Sequence, residues 1–176
     1  AKYADTHSFT TNTAFAMGVH GYIYAYAAIV AFATEQFSKM WNNPNSKFRR
    51  KYNKAPNLSV LLRNELAELK DALKELSEIK GFKHLHVADP ALWDDLLQVV
   101  RVARNFYLHP KPDPKEFSHI VGLTHTKKTF SYPSDVASKV ISYYISSMGF
   151  VVPDWVYNST EFRIQSVEAI KLQEKL

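Results

Sequence analysis

Residues 14–33, AFAMGVHGYIYAYAAIVAFA, contain no Asp, Glu, Lys or Arg, and this uncharged run restricts the possible folds more than any other part of the chain. Apolar residues recur through it at intervals of three and four, which predicts a first helix with N-caps among Thr11 to Thr13 and an end near Trp41. A helix that is apolar on all sides is buried in something, so we expect this helix to lie in the core. Its inward positions are predicted to be Phe15, Val19, Tyr22, Tyr26, Ile29, Ala33, Phe37 and Met40.

The uncharged run is also long enough to span a bilayer, so a membrane segment is the alternative interpretation. Its Ala, Gly and Tyr residues are only weakly apolar, His20 lies inside it, and no basic region precedes it as in a signal peptide. We therefore predict a core helix and no membrane partner. The chain has no cysteine, which excludes disulfides, thiolate nucleophiles and Cys-ligated zinc and fits a reducing compartment, so we expect a cytoplasmic protein.

Two further helices are predicted from their start and stop signals. The second begins near residues 57–59 and ends at Gly81. The third has Asp89 as its N-cap and Pro90 at its first position, and it ends before Pro110 because a residue that precedes proline disfavours the helical conformation. We expect the second helix to bury Leu62, Leu66, Leu69, Leu73, Leu76 and Ile79, and the third to bury Leu92, Leu96, Val99, Val100, Ala103 and Phe106.

The rest of the chain adds one long loop and two more helices. Residues 110–133 contain several prolines and are long for a plain connection, and we expect a short strand or turn around HIVGL within them. A fourth helix is predicted from Ser134 to Gly149 and a short terminal helix from Asn158 to about residue 174. Few glycines and little alternating pattern then favour an all-α bundle of four to five helices, with residues 1–176 forming one domain. The inward residues of the fourth helix are predicted to be Val136, Val140, Tyr143 and Tyr144.

The third helix ends in RVARNFYLHPKPD, residues 101–113, a cluster of polar residues that core packing does not explain. At 100° per residue, the residues on the side opposite to its buried face are Leu97, Arg101, Arg104, Asn105 and Leu108. They are predicted to face water or another surface. Because leucines flank the arginines, this stripe is more typical of an interface than of a solvated face.

The residues Arg104-Asn105-Phe106-Tyr107-Leu108-His109 resemble the motif of the HEPN domains (higher eukaryotes and prokaryotes nucleotide-binding). The ribonucleases of that superfamily carry R-x4-6-H, very often with a polar residue after the Arg, at the end of the third main helix of a four- to five-helix bundle. The spacing alone is weak support, but Asn105 and the predicted position in an all-α chain agree with the pattern. The chain departs from the members paired with a nucleotidyltransferase antitoxin, which commonly have a tyrosine where this chain has Lys111, so regulation of that kind is in doubt.

The resemblance implies a metal-independent endoribonuclease that needs no cofactor and whose two motifs meet across a homodimer. It also implies a role in toxin–antitoxin, phage-defence or RNA-processing systems, with an antitoxin or other protein as a further partner. Cleavage would use the 2′-OH of the RNA as the nucleophile, and a histidine suits both the base and the acid because it titrates near neutral pH. His109 is then the proton-transferring residue, Arg104 binds the phosphate, Asn105 orients a catalytic group, and Arg101 extends the cationic surface.

Other basic and histidine residues have two interpretations each. The net charge of +5 favours a polyanion such as RNA, and the segment 46–54, SKFRRKYNK, is predicted to be a loop that either contacts phosphates or is simply solvated. The sequence His84-Leu85-His86 could supply two metal ligands, but no third ligand is anchored beside it, so we predict a surface loop and no metal site. The candidate RNA-binding residues of the basic segment are Lys47, Arg49, Arg50 and Lys51, and those of the later loop are His119, His125, Lys127 and Lys128.

A non-catalytic function is the alternative to the ribonuclease. In that interpretation the chain is a HEPN-like helical bundle that binds nucleic acid or a protein through the stripe of Leu97, Arg101, Arg104 and Leu108. Both functions predict a dimer or a complex, and only the first predicts turnover.

Overall fold

The computed structural model describes residues 2–109 and 132–157, and within these ranges every regular element is a helix. The elements are α1 (Lys2–Trp41), α2 (Lys47–Lys51), α3 (Leu58–Asn64), α4 (Leu69–Lys80), α5 (Leu85–Ala88), α6 (Pro90–Asp94), π1 (Asp95–Val100), α7 (Arg101–Leu108), α8 (Tyr132–Ser147) and α9 (Asp154–Tyr157). The prediction of an all-α fold is confirmed for this part of the chain.

Helix α1 is the longest element, and most of the others pack on it. Helices α8, α7, α4, α2 and α3 all contact it, and α8 forms the largest of these contacts. The predicted inward residues Tyr22, Ile29, Ala33, Phe37 and Met40 are buried in a common core that runs from α1 to Val156 of α9. The 3.6-residue period of the sequence therefore located the core-facing side of this helix correctly.

Two expectations about α1 were wrong. The helix begins at Lys2 rather than near Thr11 to Thr13, and it is not buried on all sides. Tyr24 is 69% exposed and Val30 is also exposed, because α1 covers one layer of helices and its outer face meets solvent. Among the described residues, no helix combines the length and the apolar character needed to cross a membrane.

The predicted second helix is broken into α3 and α4 by residues 65–68. The start predicted near residues 57–59 is at Asn57, which caps α3 with its Oδ1 accepting the N–H of Val60 at 2.9 Å. Gly81 ends α4 as predicted, at φ 76° in the left-handed region that glycine adopts without strain. At the break, the N–H of Leu66 donates to the carbonyl of Leu61, and helical hydrogen bonding restarts at the carbonyl of Glu68. The apolar period continues through the break because Leu66 and Leu69 are both buried, so the pattern of leucines could not reveal it.

The predicted third helix is continuous but contains a π-helical stretch. The residues at both junctions keep right-handed helical dihedral angles, and the N–H of Arg101 donates to the carbonyl of Leu96, five residues earlier. Asp89 caps its start and accepts the N–H of Leu92 at 3.0 Å. All six residues predicted to face inward are buried: Leu92, Leu96, Val99, Val100, Ala103 and Phe106.

The basic segment 46–54 contains a short helix, α2, where a loop was predicted. Ser46 is its N-cap and accepts the N–H of Arg49 at 3.0 Å. Phe48 is fully buried and stacks on Phe37 of α1 with ring centroids 5.0 Å apart. The buried ring of Phe48 packs this segment on α1.

The predicted cap Ser134 lies within helix α8, whose described bounds are Tyr132–Ser147. Val136, Val140 and Tyr144 are buried as predicted, whereas Tyr143 is only partly buried. Gly149 follows α8 at φ 80°. The predictions for residues 110–131, including His119, His125, Lys127 and Lys128, and for the terminal helix from Asn158 lie outside the described residues.

Replacing Phe48 by Ala is expected to lower the free energy of unfolding by about 3–5 kcal/mol, the usual cost of deleting a buried phenyl ring. Urea denaturation followed by far-UV circular dichroism measures this loss. The control is Tyr24→Ala, which removes an aromatic ring that is 69% exposed and should change stability by less than about 0.5 kcal/mol. Equal effects of the two substitutions would show that Phe48 does not anchor the basic segment.

Candidate functional site

Arg104 of the motif and Arg101 before it line a groove between α1, α7 and the break between α3 and α4. Its volume is ≈ 520 Å³. The lining residues are Ile23, Tyr26, Ala27, Val30 and Ala31 of α1, Ala67 and Glu68 of the break, and Arg101, Arg104, Asn105 and Leu108 of α7. This combination of alanines with two guanidinium groups gives an open concave surface that carries positive charge on one wall.

Three local features create this groove. Ala27 and Ala31 are small, so α1 leaves space opposite α7 at this level. The break at residues 65–68 ends one helix and starts the next, which brings Glu68 close to Arg101. In π1 each hydrogen-bonded ring contains one more residue than in an α-helix, so each residue turns less around the axis, and α7 presents a different side than a uniform α-helix would.

The π-helical stretch explains an error in the predicted stripe. Leu97 was placed on the same side as Arg101, Arg104 and Leu108, but it is partly buried and packs against the core. Leu108 is 40% exposed at the edge of the groove. Arg101 and Arg104 share the groove with residues of α1, so they face a helix of their own chain.

Arg104 is held in the groove by two neighbours. Its guanidinium carbon lies 5.0 Å from the centroid of the Tyr26 ring, and its Nη1 donates to Oδ1 of Asn105 at 2.7 Å. The Asn105 amide engages one of the five N–H donors of the guanidinium. An arginine fixed in this way can bind an oxyanion without first losing much conformational freedom.

Arg101 lies one turn before Arg104 and contacts Glu68. Its Nη1 is 3.5 Å from Oε2 of Glu68, and the Arg101 side chain is only 29% exposed whereas that of Glu68 is 60% exposed. The Nε of Arg101 is buried and has no hydrogen-bond partner in the described part of the chain. The cation is thus partly desolvated and incompletely paired, which favours the approach of a further anionic group.

All three charged groups of the groove affect the pKa of the Tyr26 hydroxyl. Burial raises the pKa of Tyr26 above its usual value, the cations Arg104 and Arg101 oppose this, and the Glu68 carboxylate adds to it. Tyr26 and Glu68 were missed at the sequence level. Tyr26 was interpreted as a core residue, and Glu68 lay within a helix that the leucine pattern made continuous.

His109 ends α7 and is exposed. Its backbone has left the helical region at φ −135° and ψ 64°, as predicted for a residue before proline, while its N–H still donates to the carbonyl of Asn105 at 2.9 Å. His109 does not line the groove, and its position is one turn beyond Asn105 at the end of the helix. One chain therefore presents a groove with Arg104 and Asn105 and, next to it, a solvent-accessible histidine.

The basic segment lies away from the groove. Arg49 stacks over Trp41, 3.8 Å from the ring centroid, and fifteen residues of α1 separate Trp41 from Tyr26, which corresponds to about 22 Å along the helix. Of the four residues of this segment that were predicted to bind RNA, three have partners within the protein, and the fourth, Lys47, is exposed. Arg49 contacts Trp41, Arg50 donates to the carbonyl of Asn45 at 3.2 Å, and Lys51 donates to both carboxylate oxygens of Glu75 at 2.7 and 2.8 Å.

His84 and His86 form a local cap rather than the predicted loop. His84 is the N-cap of α5 and its Nδ1 accepts the N–H of His86 at 3.2 Å, while the two Nδ1 atoms are 2.8 Å apart. The His84 ring also meets Trp93, with centroids 4.7 Å apart in an edge-on arrangement. Within residues 2–109 and 132–157, no group of three or more His, Asp or Glu side chains is arranged to hold a metal ion.

The stability of the protein is expected to depend on the protonation of His84. Burial, followed by the neighbouring His86, lowers the pKa of His84 below 6.5, so the folded state resists protonation that the unfolded state accepts. This contribution to stability is complete above pH 6.5 and is lost as the pH falls from there to the folded-state pKa. In His84→Asn, which retains a good N-cap residue, this part of the pH dependence should disappear.

Urea denaturation at several pH values between about 7.5 and 5 tests this expectation, since that interval brackets the unperturbed histidine pKa. The wild type should lose more free energy of unfolding across the interval than His84→Asn. The matched control His20→Asn replaces an exposed histidine and should follow the wild type. Parallel curves for the wild type and His84→Asn would contradict the argument.

No protein-family model matches the chain, and no curated protein and no solved structure matches it significantly. The interpretation of the site therefore depends on its own residues and their geometry.

Proposed function

We propose that this protein is a metal-independent endoribonuclease of the HEPN type. The observation that carries the proposal is the position of Arg104, which lies over Tyr26 and is bonded to Asn105, with His109 one turn further on at the exposed end of α7. A guanidinium that binds phosphate and a histidine that transfers protons are groups that metal-free RNA cleavage uses. The all-helical fold and the net charge of +5 support the same function.

The proposed reaction is an internal transfer on the RNA. A base removes the proton of the 2′-OH, and the 2′-oxygen attacks the adjacent phosphorus. The bond from phosphorus to the 5′-oxygen breaks, and an acid protonates that oxygen. The products are a 2′,3′-cyclic phosphate and a 5′-OH. Arg104 neutralises the negative charge that increases on the phosphoryl oxygens in the transition state.

A single chain supplies one motif histidine, whereas the reaction uses a base and an acid. We therefore propose that a homodimer places two copies of the motif around one cleft, so that one His109 acts as base and the other as acid. The exposure of His109 and of Leu108 at the groove edge is compatible with such a contact. The described helices are then part of a four- to five-helix HEPN-like bundle, and the biological role is in a toxin–antitoxin, phage-defence or RNA-processing system.

Substitution of either motif residue should abolish cleavage. Arg104→Ala removes the phosphate ligand and His109→Ala removes the proton-transferring group, and each is expected to lower the rate by at least about 100-fold, as is usual for such groups. The assay follows a labelled RNA in EDTA and identifies the product ends by their resistance to phosphatase and to periodate. Matched controls are Arg63→Ala and His86→Ala, which change the same residue types outside the groove and should retain activity.

Undiminished cleavage by both motif variants would refute the assignment. RNA binding without cleavage by the wild type would instead favour the alternative, a non-catalytic module that binds nucleic acid. Circular dichroism of each variant shows whether the fold is intact.

The dimer is tested separately by light scattering coupled to size-exclusion chromatography. We expect the mass of two chains, and we expect an excess of inactive His109→Ala chains to suppress the activity of the wild type, because a mixed dimer holds only one of the two histidines. A monomer at high protein concentration would contradict the shared cleft.

A further inference from the structure

Glu68 occupies an unusual position for its residue type. It is the N-cap of α4, a position at which Ser, Thr, Asp or Asn would cap the first N–H groups, and its side chain makes no such bond. Its carboxylate instead reaches Arg101, which lies 33 residues further along the chain. A potential helix cap is thus used to place an anion in the groove.

The contact between Glu68 and Arg101 is of the kind that another anion can replace. It consists of one N–O approach of 3.5 Å, longer than a good charge-assisted hydrogen bond, and the Glu68 side chain is 60% exposed. The Nε of Arg101 remains buried without a partner in the described chain, so the carboxylate does not satisfy the guanidinium fully. A phosphate in place of the carboxylate can accept a shorter hydrogen bond from Nη1 than the present 3.5 Å contact.

Arg101 and Arg104 are three residues apart on α7 and are therefore neighbours on its surface. Both line the groove, where Glu68 partly neutralises the first and Asn105 holds the second. In the absence of a ligand, Glu68 reduces the repulsion between the two cations. When a strand with successive phosphates enters, each arginine can bind one phosphate.

We propose that the Glu68 carboxylate binds Arg101 in the place that a second RNA phosphate takes when RNA binds. This competition for Arg101 sets the affinity of the groove for the strand. Arg104 binds the phosphate at the cleavage position, and an adjacent phosphate of the same strand displaces Glu68 from Arg101. The identity of the ligand as RNA rests on the proposed function. The competition between a carboxylate and a phosphate for Arg101 rests on the contacts of the groove.

Glu68→Gln tests the proposal because it retains the size of the side chain and removes its charge. The measurement is the binding of a short fluorescein-labelled single-stranded RNA by fluorescence anisotropy, at several KCl concentrations and in EDTA. Every protein carries His109→Ala so that binding is measured without cleavage. We expect Glu68→Gln to bind at least about 3-fold more tightly. We also expect the slope of log Kd against log salt to steepen by about 0.7, the increment for one further uncompensated contact with a single strand.

The matched control is Glu65→Gln, which removes the same charge from the same break but does not line the groove, and it should change the affinity by less than half as much. Adding Arg101→Gln to Glu68→Gln should remove the gain. Weaker binding of Glu68→Gln would mean that Glu68 positions Arg101 for the ligand, and a change equal to that of Glu65→Gln would mean that only net charge matters. Either result overturns the proposal.

The binding experiment tests the role of Glu68 independently of the cleavage assay. If the wild type binds RNA but does not cleave it, the ribonuclease function fails, and the effect of Glu68→Gln on binding still decides the role of Glu68. If no RNA binding is measurable for either protein at low salt, the role of Glu68 is refuted whatever the cleavage assay shows.

Discussion

The burial of one stripe of α1 is the interaction on which the rest of the structure depends. Residues such as Ile29 and Phe37 are fully buried, and helices that precede residue 110 as well as helix α8 pack against α1. Because α1 contacts α2 near its end and α7 near its middle, it also sets the separation between the basic segment and the groove. Its exposed face is left free of this packing, and Tyr24 lies on that face.

The two cations of the groove are only partly paired with other groups of the protein. Two guanidinium groups of α7 are each restrained by one polar neighbour, Glu68 or Asn105, and the ring of Tyr26 lies beneath one of them. Partial burial of the Arg101 side chain increases the cost of leaving its cation incompletely paired. An anionic ligand can therefore gain affinity by completing the pairing that the protein leaves unfinished.

Much of the fold could be predicted from the sequence because the apolar period of a helix depends only on local spacing. All six inward residues of the third helix were located in this way, and capping residues located its start at Asp89 and the end of the second helix at Gly81. The break before Glu68 was missed because the leucines keep their period across it, and the π-helical stretch was missed because its buried residues fit both geometries. The motif residues were identified, but Tyr26 and Glu68 belong to the groove through contacts between distant segments, which no local pattern encodes.

The π-helical stretch affects how the orientation of the motif depends on the number of residues that precede it. The five-residue hydrogen-bond spacing between Leu96 and Arg101 accommodates one residue more per turn than an α-helix does. Because π1 turns less per residue, its residues rotate the chain about as far as an α-helix with one residue fewer would. Removal of one residue at the exposed Gln98 would therefore let π1 become α-helical and leave Arg101 and Arg104 facing Tyr26. The groove thus tolerates the loss of a single residue just upstream of it, which a uniform α-helix would not.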